Sequence, residues 1–376
     1  MSARHVATIL AALCTGAFST YAAAHHSVTA NFDPYRKIEI RGAVVEFLLR
    51  SPHSSLVVDG IGVVDGVRQS EAPERWEIES RAANFLRTEG YREDSIRPGD
   101  RIVVVGQPSR QGLKRANSAQ FLRDDGSSYA SAPAVNTTFH PQLRARAGLN
   151  SAPVFVAVDA KGIQRVAGRW QPPFQQEGTE SVLPLNDAGR AARRAYDQAQ
   201  SPANTCEPMS IPEAFHSPSY FVDIRLTASQ AVVRNQAYDI VRTIPLDRRS
   251  APADTQGLFG VVTGRIEGET LVVESRAYPP SKWGLGAATQ VNGGGADVPS
   301  SKEKTVTEWF SVSDDAQTLT YRYTLYDPVY MTRPHTASIE LARVPEDTPM
   351  YPYNCDKNAA SMFSRAPGVS LLRKAN

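Results

Sequence analysis

The sequence predicts a mainly β protein built from two antiparallel, barrel-like domains with one or two short helices. Three observations predict it. Short runs rich in β-branched and aromatic residues recur along the chain, separated by turn residues. The 26 prolines and 25 glycines are spread throughout, which suits many short strands and turns. Leu319, Tyr321, Tyr323 and Leu325 alternate with Thr320, Arg322 and Thr324, the period of two that a half-buried strand requires.

The chain opens with the three-part layout of an export leader. Arg4 gives a basic start, Val6 to Phe18 is mostly apolar, and Ala22 and Ala24 are the small residues a signal peptidase reads. Residues 1–24 are therefore expected to be removed, leaving an exported, periplasmic or secreted protein. No segment approaches the roughly 20 apolar residues of a membrane helix. Removal of Arg4 leaves 40 basic residues against the 39 acidic ones, from the 41 and 39 of the whole chain. So even a balance gives no electrostatic reason to expect a nucleic-acid partner.

Residues 25–130 form the first expected domain. Ile38 to Leu49 reads as a strand, with Gly42 as a bulge or bend. "SLVVDGIGVVDG" reads as two short strands, with turns at Asp59-Gly60 and Asp65-Gly66. "RWEIES" is another strand, "RAANFLRTEGY" a short helix ending at Gly90, and "RPGDRIVVVGQP" a turn and a buried strand. That order fits a small closed antiparallel barrel of the oligonucleotide/oligosaccharide-binding kind, or an open sandwich.

Residues 131–152 read as a linker, and 153–376 as a second antiparallel domain, calycin-like or a strongly bent sheet. Its best helix lies in "LPLNDAGRAARRAYDQAQSP", with Asn186 as N-cap. Ala188, Ala191, Ala192, Ala195 and Tyr196 are its expected packing face, and Arg190, Arg193 and Arg194 its solvated one. Five strand segments follow, from "YFVDIRLTA" to "TASIELARV". "GAATQVNGGGADVPSSKEK" reads as a loop. Without the leader, and hence without Cys14, the cysteines are Cys206 and Cys355. In an oxidising compartment an even pair reads as a disulfide.

Several of these stretches together resemble a family. "AHHS", "FDPYRKIEIRGAVVEF", "SPH", "RWEIES" and "RPGDRIVVVG" are similar to a widespread group of exported bacterial proteins catalogued as a domain of unknown function. "LPLNDAGRAARRAYD", "GRIEGETLVVES" and "TLTYRYTLYDPVYMTRPHT" extend the likeness to its long-form members. The resemblance implies a shared fold and export, and implies no activity. It also implies asparagine at Ser51, glutamate at Gln236, histidine at Thr305 and His-Glu at Asp356-Lys357. A site built on those groups would be depleted here.

The functional candidates are few. Cleavage after Ala24 makes His25 the first residue, so that its α-amine and Nδ1 chelate one metal ion. A further nitrogen from His26 or His53 makes a nitrogen-rich set suited to copper, or to zinc. Two histidines at a frayed terminus are equally compatible with a solvated end. In the second domain Arg242, Glu308, Tyr326 and His335, on or beside strands, and Trp283, on a loop, are candidates to line a barrel pocket. Ordinary core packing with a structural Arg-Glu pair, through Arg242 or Arg265, is the alternative. No nucleophile elbow or phosphate loop is present: Ser219 and Ser275 lack the elbow glycines, and His140, His216 and His335 are scattered. The reading is an exported protein that binds a metal and a small molecule or envelope protein. An enzyme acting on a small apolar or aromatic substrate (a hydrolase, lyase or isomerase) and a siteless structural protein are the rivals.

Overall fold

A computed structural model describes residues 31–33, 35–125, 127, 129, 155–172, 183–197, 202–215, 220–247, 257–287 and 297–360. The expected leader at 1–24, His25, His26, His140, His216 and the expected linker at 131–152 lie outside the described residues. Among the described residues no helix is long and apolar enough to cross a membrane.

The first barrel is built from β1 (Ile38–Leu48), β2 (Ser54–Val64), β3 (Val67–Arg68), β4 (Glu74–Ser80), β5 (Arg101–Pro108) and β6 (Arg115–Arg123). β1 pairs with both β2 and β5, β5 with β6, β6 with β4 and β4 with β2, so five strands close a ring. With the helix α1 (Ala83–Thr88) between β4 and β5, this is the strand order of an oligonucleotide/oligosaccharide-binding barrel. One pair departs from the antiparallel expectation: β4 and β6 run parallel. Alternation supplies the core, with Ile38 and Ile40 of β1 facing Val58 of β2, Ile78 of β4 and Val104 of β5. Phe47, Tyr91 and Phe121 fill one end, with ring centroids 5.9–6.5 Å apart in tilted and edge-on pairs.

Two local expectations fail for one reason. Asp59-Gly60 is not a turn, because β2 runs unbroken through it, and the bulge in β1 falls between Val44 and Glu46 rather than at Gly42. Gly42 and Gly60 face each other across the pair, and a β-carbon at Gly42 would lie 2.2 Å from the Asp59 carbonyl oxygen. The two glycines permit close backbone approach inside a coiled barrel. Gly42→Ala should therefore destabilise the protein by about 1–3 kcal/mol, seen as a lower urea midpoint with an unchanged slope. The Asp65-Gly66 turn is present, with both residues at positive φ.

The second unit is a nine-stranded antiparallel meander. Its strands are β7 (Gly168–Gln171), β8 (Val222–Leu226), β9 (Gln230–Asn235), β10 (Ile240–Pro245), β11 (Val261–Glu267), β12 (Thr270–Arg276), β15 (Thr305–Val312), β16 (Thr318–Tyr326) and β17 (His335–Val344). Consecutive strands of the sheet pair except β10 with β11, and β17 returns to β7. The free edges, β10 and β11, pack without a ladder: a β-carbon at Gly264 would lie 2.6 Å from Ile244 Cγ2. Buried Leu319, Tyr321, Tyr323 and Leu325 of β16 face the core, as the period of two predicts. "QAVVRNQAYDIVRTIPLD" proves to be two strands, turned at Tyr238 and Asp239 with positive φ.

A separate hairpin, β13 (Ser281–Ala287) and β14 (Asp297–Ser300), is inserted between β12 and β15. It takes part of the stretch expected to be a loop, and it places Trp283 on a strand. Helix α2 (Asp187–Arg194) is capped as predicted, Asn186 Oδ1 accepting from the Gly189 N–H at 2.9 Å. Its packing face is not the expected one. Ala188, Ala191 and Ala195 are exposed, while Gly189 is buried and Ala192, Arg193 and Tyr196 are half-buried. At Gly189 a β-carbon would come within 2.3 Å of the Tyr330 carbonyl oxygen, so the contact selects the smallest residue.

Cys206 and Cys355 form a disulfide, with Cα atoms 5.8 Å apart. The segment after Tyr351 crosses to the first barrel. Cys355 bridges to Ser51, the Asp356 N–H donates to the Ser51 carbonyl at 2.7 Å, and Arg50 pairs with Asp356 at 3.0 Å. Lys357–Ala360 forms α3, a single helical turn, beyond it.

Candidate functional site

His53 sits in the loop between β1 and β2, and that loop is held from three sides. The Ala83 N–H of α1 donates to the Arg50 carbonyl, the Asp356 N–H to the Ser51 carbonyl, and the Ser54 hydroxyl to the Arg50 carbonyl. The strand register then places Glu79 of β4 opposite Ser55. Its carboxylate accepts from His53 Nδ1 at 2.7 Å, with the glutamate side chain 2% exposed and the histidine 23%. A buried carboxylate on Nδ1 fixes ring orientation and tautomer, and turns Nε2 away from the pair. This is the outer shell that a metal-ligating histidine usually has. Among the described residues no three His, Cys, Asp or Glu side chains converge as a metal site, so His53 would need ligands from outside them.

In the second barrel, Arg242 of β10 and Glu308 of β15 meet across the interior. They form a bidentate pair with N···O distances of 2.9 and 2.6 Å, and both side chains are almost fully buried. The Tyr321 hydroxyl donates to Glu308 Oε1 at 3.0 Å, and the Arg242 guanidinium lies 5.5 Å from the Phe259 ring centroid. Arg265 instead pairs with Glu267 and Glu274 at the surface. Burial works against the Arg242 charge, yet Glu308 holds its pKa above the ordinary value. Burial, with the Glu308 charge second, pushes the Tyr278 and Tyr321 phenols up.

The other three pocket candidates lie apart from that pair. Trp283 is buried in β13, edge-on to Tyr238 at 5.9 Å. Tyr326 is half-buried at the end of β16, on the alternate face. His335 is buried on β17 opposite Leu325, 6.3 Å from the Tyr323 ring, and burial followed by the Arg333 charge pushes its pKa down.

Sequence reasoning missed a second buried group. Lys304 follows the hairpin in "SSKEK" and reads as solvated, but it is fully buried. Its Nζ donates to Ser210 Oγ at 2.9 Å and to the Gly284 carbonyl of β13, and lies 4.5 Å from the Tyr278 ring centroid. Burial pushes its pKa down to about 7, against the pull of Asp327, Glu308 and Glu213. Glu213 packs on Gly286, where a β-carbon would lie 2.1 Å from Oε2. Burial, then the neighbouring Asp297, raises the Glu213 carboxyl to about 8. Nothing in the spacing marks these residues, because the turn Glu213–Phe215, the hairpin and β15 are brought together only by the fold.

Residues 13–118 match a family of unknown function, DUF6152. The match takes in the first barrel as far as β6, and stops before the second barrel. No curated protein matches the chain.

Proposed function

We propose that the protein is exported and binds a transition metal, copper by preference, through the nitrogens of its processed N-terminus and His53. The supporting observation is the His53–Glu79 pair, a solvent-reaching imidazole anchored to a buried carboxylate. His25 as the first residue supplies an amine and an imidazole, and His26 a further nitrogen; such sets favour Cu(II) in the divalent series.

The chain can reach. Glu79 pairs with Asn117, Asn117 with Gln107, and Ser109, two residues on, bridges to Phe32. Three strand spacings and two residues of rise, along a closed barrel, put Glu79 and Phe32 roughly 10–20 Å apart. The six steps from His26 to Phe32 extend to about 20 Å. The terminal amine must lose its proton to bind, so affinity rises with pH through the amine's range near 8.

The test is calorimetric Cu(II) titration of secreted, untagged protein whose intact mass fixes the first residue. Wild type should bind one ion, and Glu79→Gln should weaken binding about 10–100-fold. His53→Ala should weaken it at least as much. Equal binding by wild type and His53→Ala, or a mature chain that begins beyond His26, overturns the proposal.

A further inference from the structure

We infer that Ser210 and Lys304 form a serine–lysine acyl-transfer dyad in the second barrel, acting on small esters or lactones with an apolar or aromatic acyl group. Three observations meet there. The nucleophile–base contact is in place, Ser210 Oγ and Lys304 Nζ being 2.9 Å apart. The lysine is buried yet makes no ion pair among the described residues; its partners are a hydroxyl, the Gly284 carbonyl and the Tyr278 ring face. A neutral amine satisfies that set as well as an ammonium does. In that neutral form two N–H groups would face the carbonyl and the ring, and the lone pair would accept the serine proton.

The third observation points to a ligand. The Ser300 hydroxyl is buried without a hydrogen-bond partner among the described residues, and the buried Tyr278 hydroxyl has the Ser275 hydroxyl as its side-chain partner. Tyr278 carries the ring beneath Lys304 Nζ, and Ser300 Oγ presses on Gly284, where a β-carbon would meet it at 1.8 Å. An unused hydroxyl donor beside Gly284, whose carbonyl holds the base, is what a substrate carbonyl oxygen would take. Phe215, stacked on Tyr321 at 4.0 Å, provides an apolar flank. One wall of the site is the β13–β14 hairpin, which shares no strand pairing with the nine-stranded sheet, so its displacement breaks no ladder.

The step balances without a co-reactant beyond water. Ser210 Oγ attacks the carbonyl carbon as its proton passes to Lys304 Nζ. The tetrahedral oxyanion collapses, the C–O bond to the leaving group breaks, and the alkoxide takes the proton from Lys304. Water then attacks the acyl-serine, gives a proton to Lys304, and the acid leaves as Ser210 recovers its proton.

The test uses the whole protein and p-nitrophenyl acetate. A hydroxylamine-labile acetyl group is expected on the peptide containing Ser210. Its formation should speed up as pH rises through about 7, where Lys304 loses its proton, and then level off. Ser210→Ala should abolish that acetylation and leave the melting curve in place. Lys304→Met should slow it by at least about 100-fold. If Lys304→Met fails to fold, Ser210→Ala and the pH profile decide alone. Acetyl found only on surface lysines, or an unchanged release of p-nitrophenol from Ser210→Ala, overturns the inference.

Discussion

Replacing Glu308 by leucine is expected to cost about 3–5 kcal/mol of stability, because it leaves the Arg242 guanidinium buried and unpaired. For a domain of this size the melting temperature should fall by roughly 10 °C. The pair joins β10 to β15 through the barrel interior, so both charges lie far from water, with Tyr321 on one carboxylate oxygen. The double variant Arg242→Met/Glu308→Leu should recover most of the loss, since removing both charges removes both desolvation penalties. A catalytic role for the pair would demand the reverse, lost turnover at an unchanged melting temperature. Thermal melts of the two single variants and the double separate the cases. A Glu308→Leu protein that melts with wild type would show that the pair contributes nothing to the fold.

What was readable in the sequence was whatever is local. The alternation of β16, the Asn186 cap and the Asp65-Gly66 turn depend on neighbours within a few residues, and all three are in place. The order of strands, helix and turns fitted the closed first barrel and an open sandwich alike, and the pairing of β4 with β6 is what closes it. Failures came where a distant backbone decides. Gly60 looks like half of a turn but is a close-approach residue against Gly42, and Gly189 is buried because Tyr330 lies on it. Candidate sites divide the same way. Arg242 and Glu308 stood out as charges within strand patterns, although only the structure chooses Arg242 over Arg265. Lys304 could not stand out, since a lysine between Glu303 and Thr305 has the local character of a solvated loop. Its burial depends on a hairpin and a turn contributed from elsewhere in the chain.

Cutting the Cys206–Cys355 bridge is expected to lower stability by up to about 5 kcal/mol, the chain-entropy value for a loop of this size. The two cysteines are 149 residues apart, and the loop between them contains eight of the nine strands of the meander, β8 to β17 with the hairpin between β12 and β15. Cross-linking so long a loop removes much of the freedom of the unfolded chain. In the folded protein the Cys355 end is held independently: Asp239 accepts from the Tyr353 and Asn354 N–H groups at 2.8 and 3.0 Å, and the Gln236 amide donates to the Tyr351 carbonyl at 2.7 Å. Those contacts should keep the native fold in Cys206→Ser/Cys355→Ser while the urea midpoint falls. The same segment braces the loop that carries His53, through Ser51 and Arg50. Loss of the bridge should therefore speed amide exchange across residues 351–360 and weaken Cu(II) binding several-fold, even under conditions where the variant stays folded. A variant with lower stability and unaltered copper affinity would mean that the bracing is not transmitted from the bridge to the histidine.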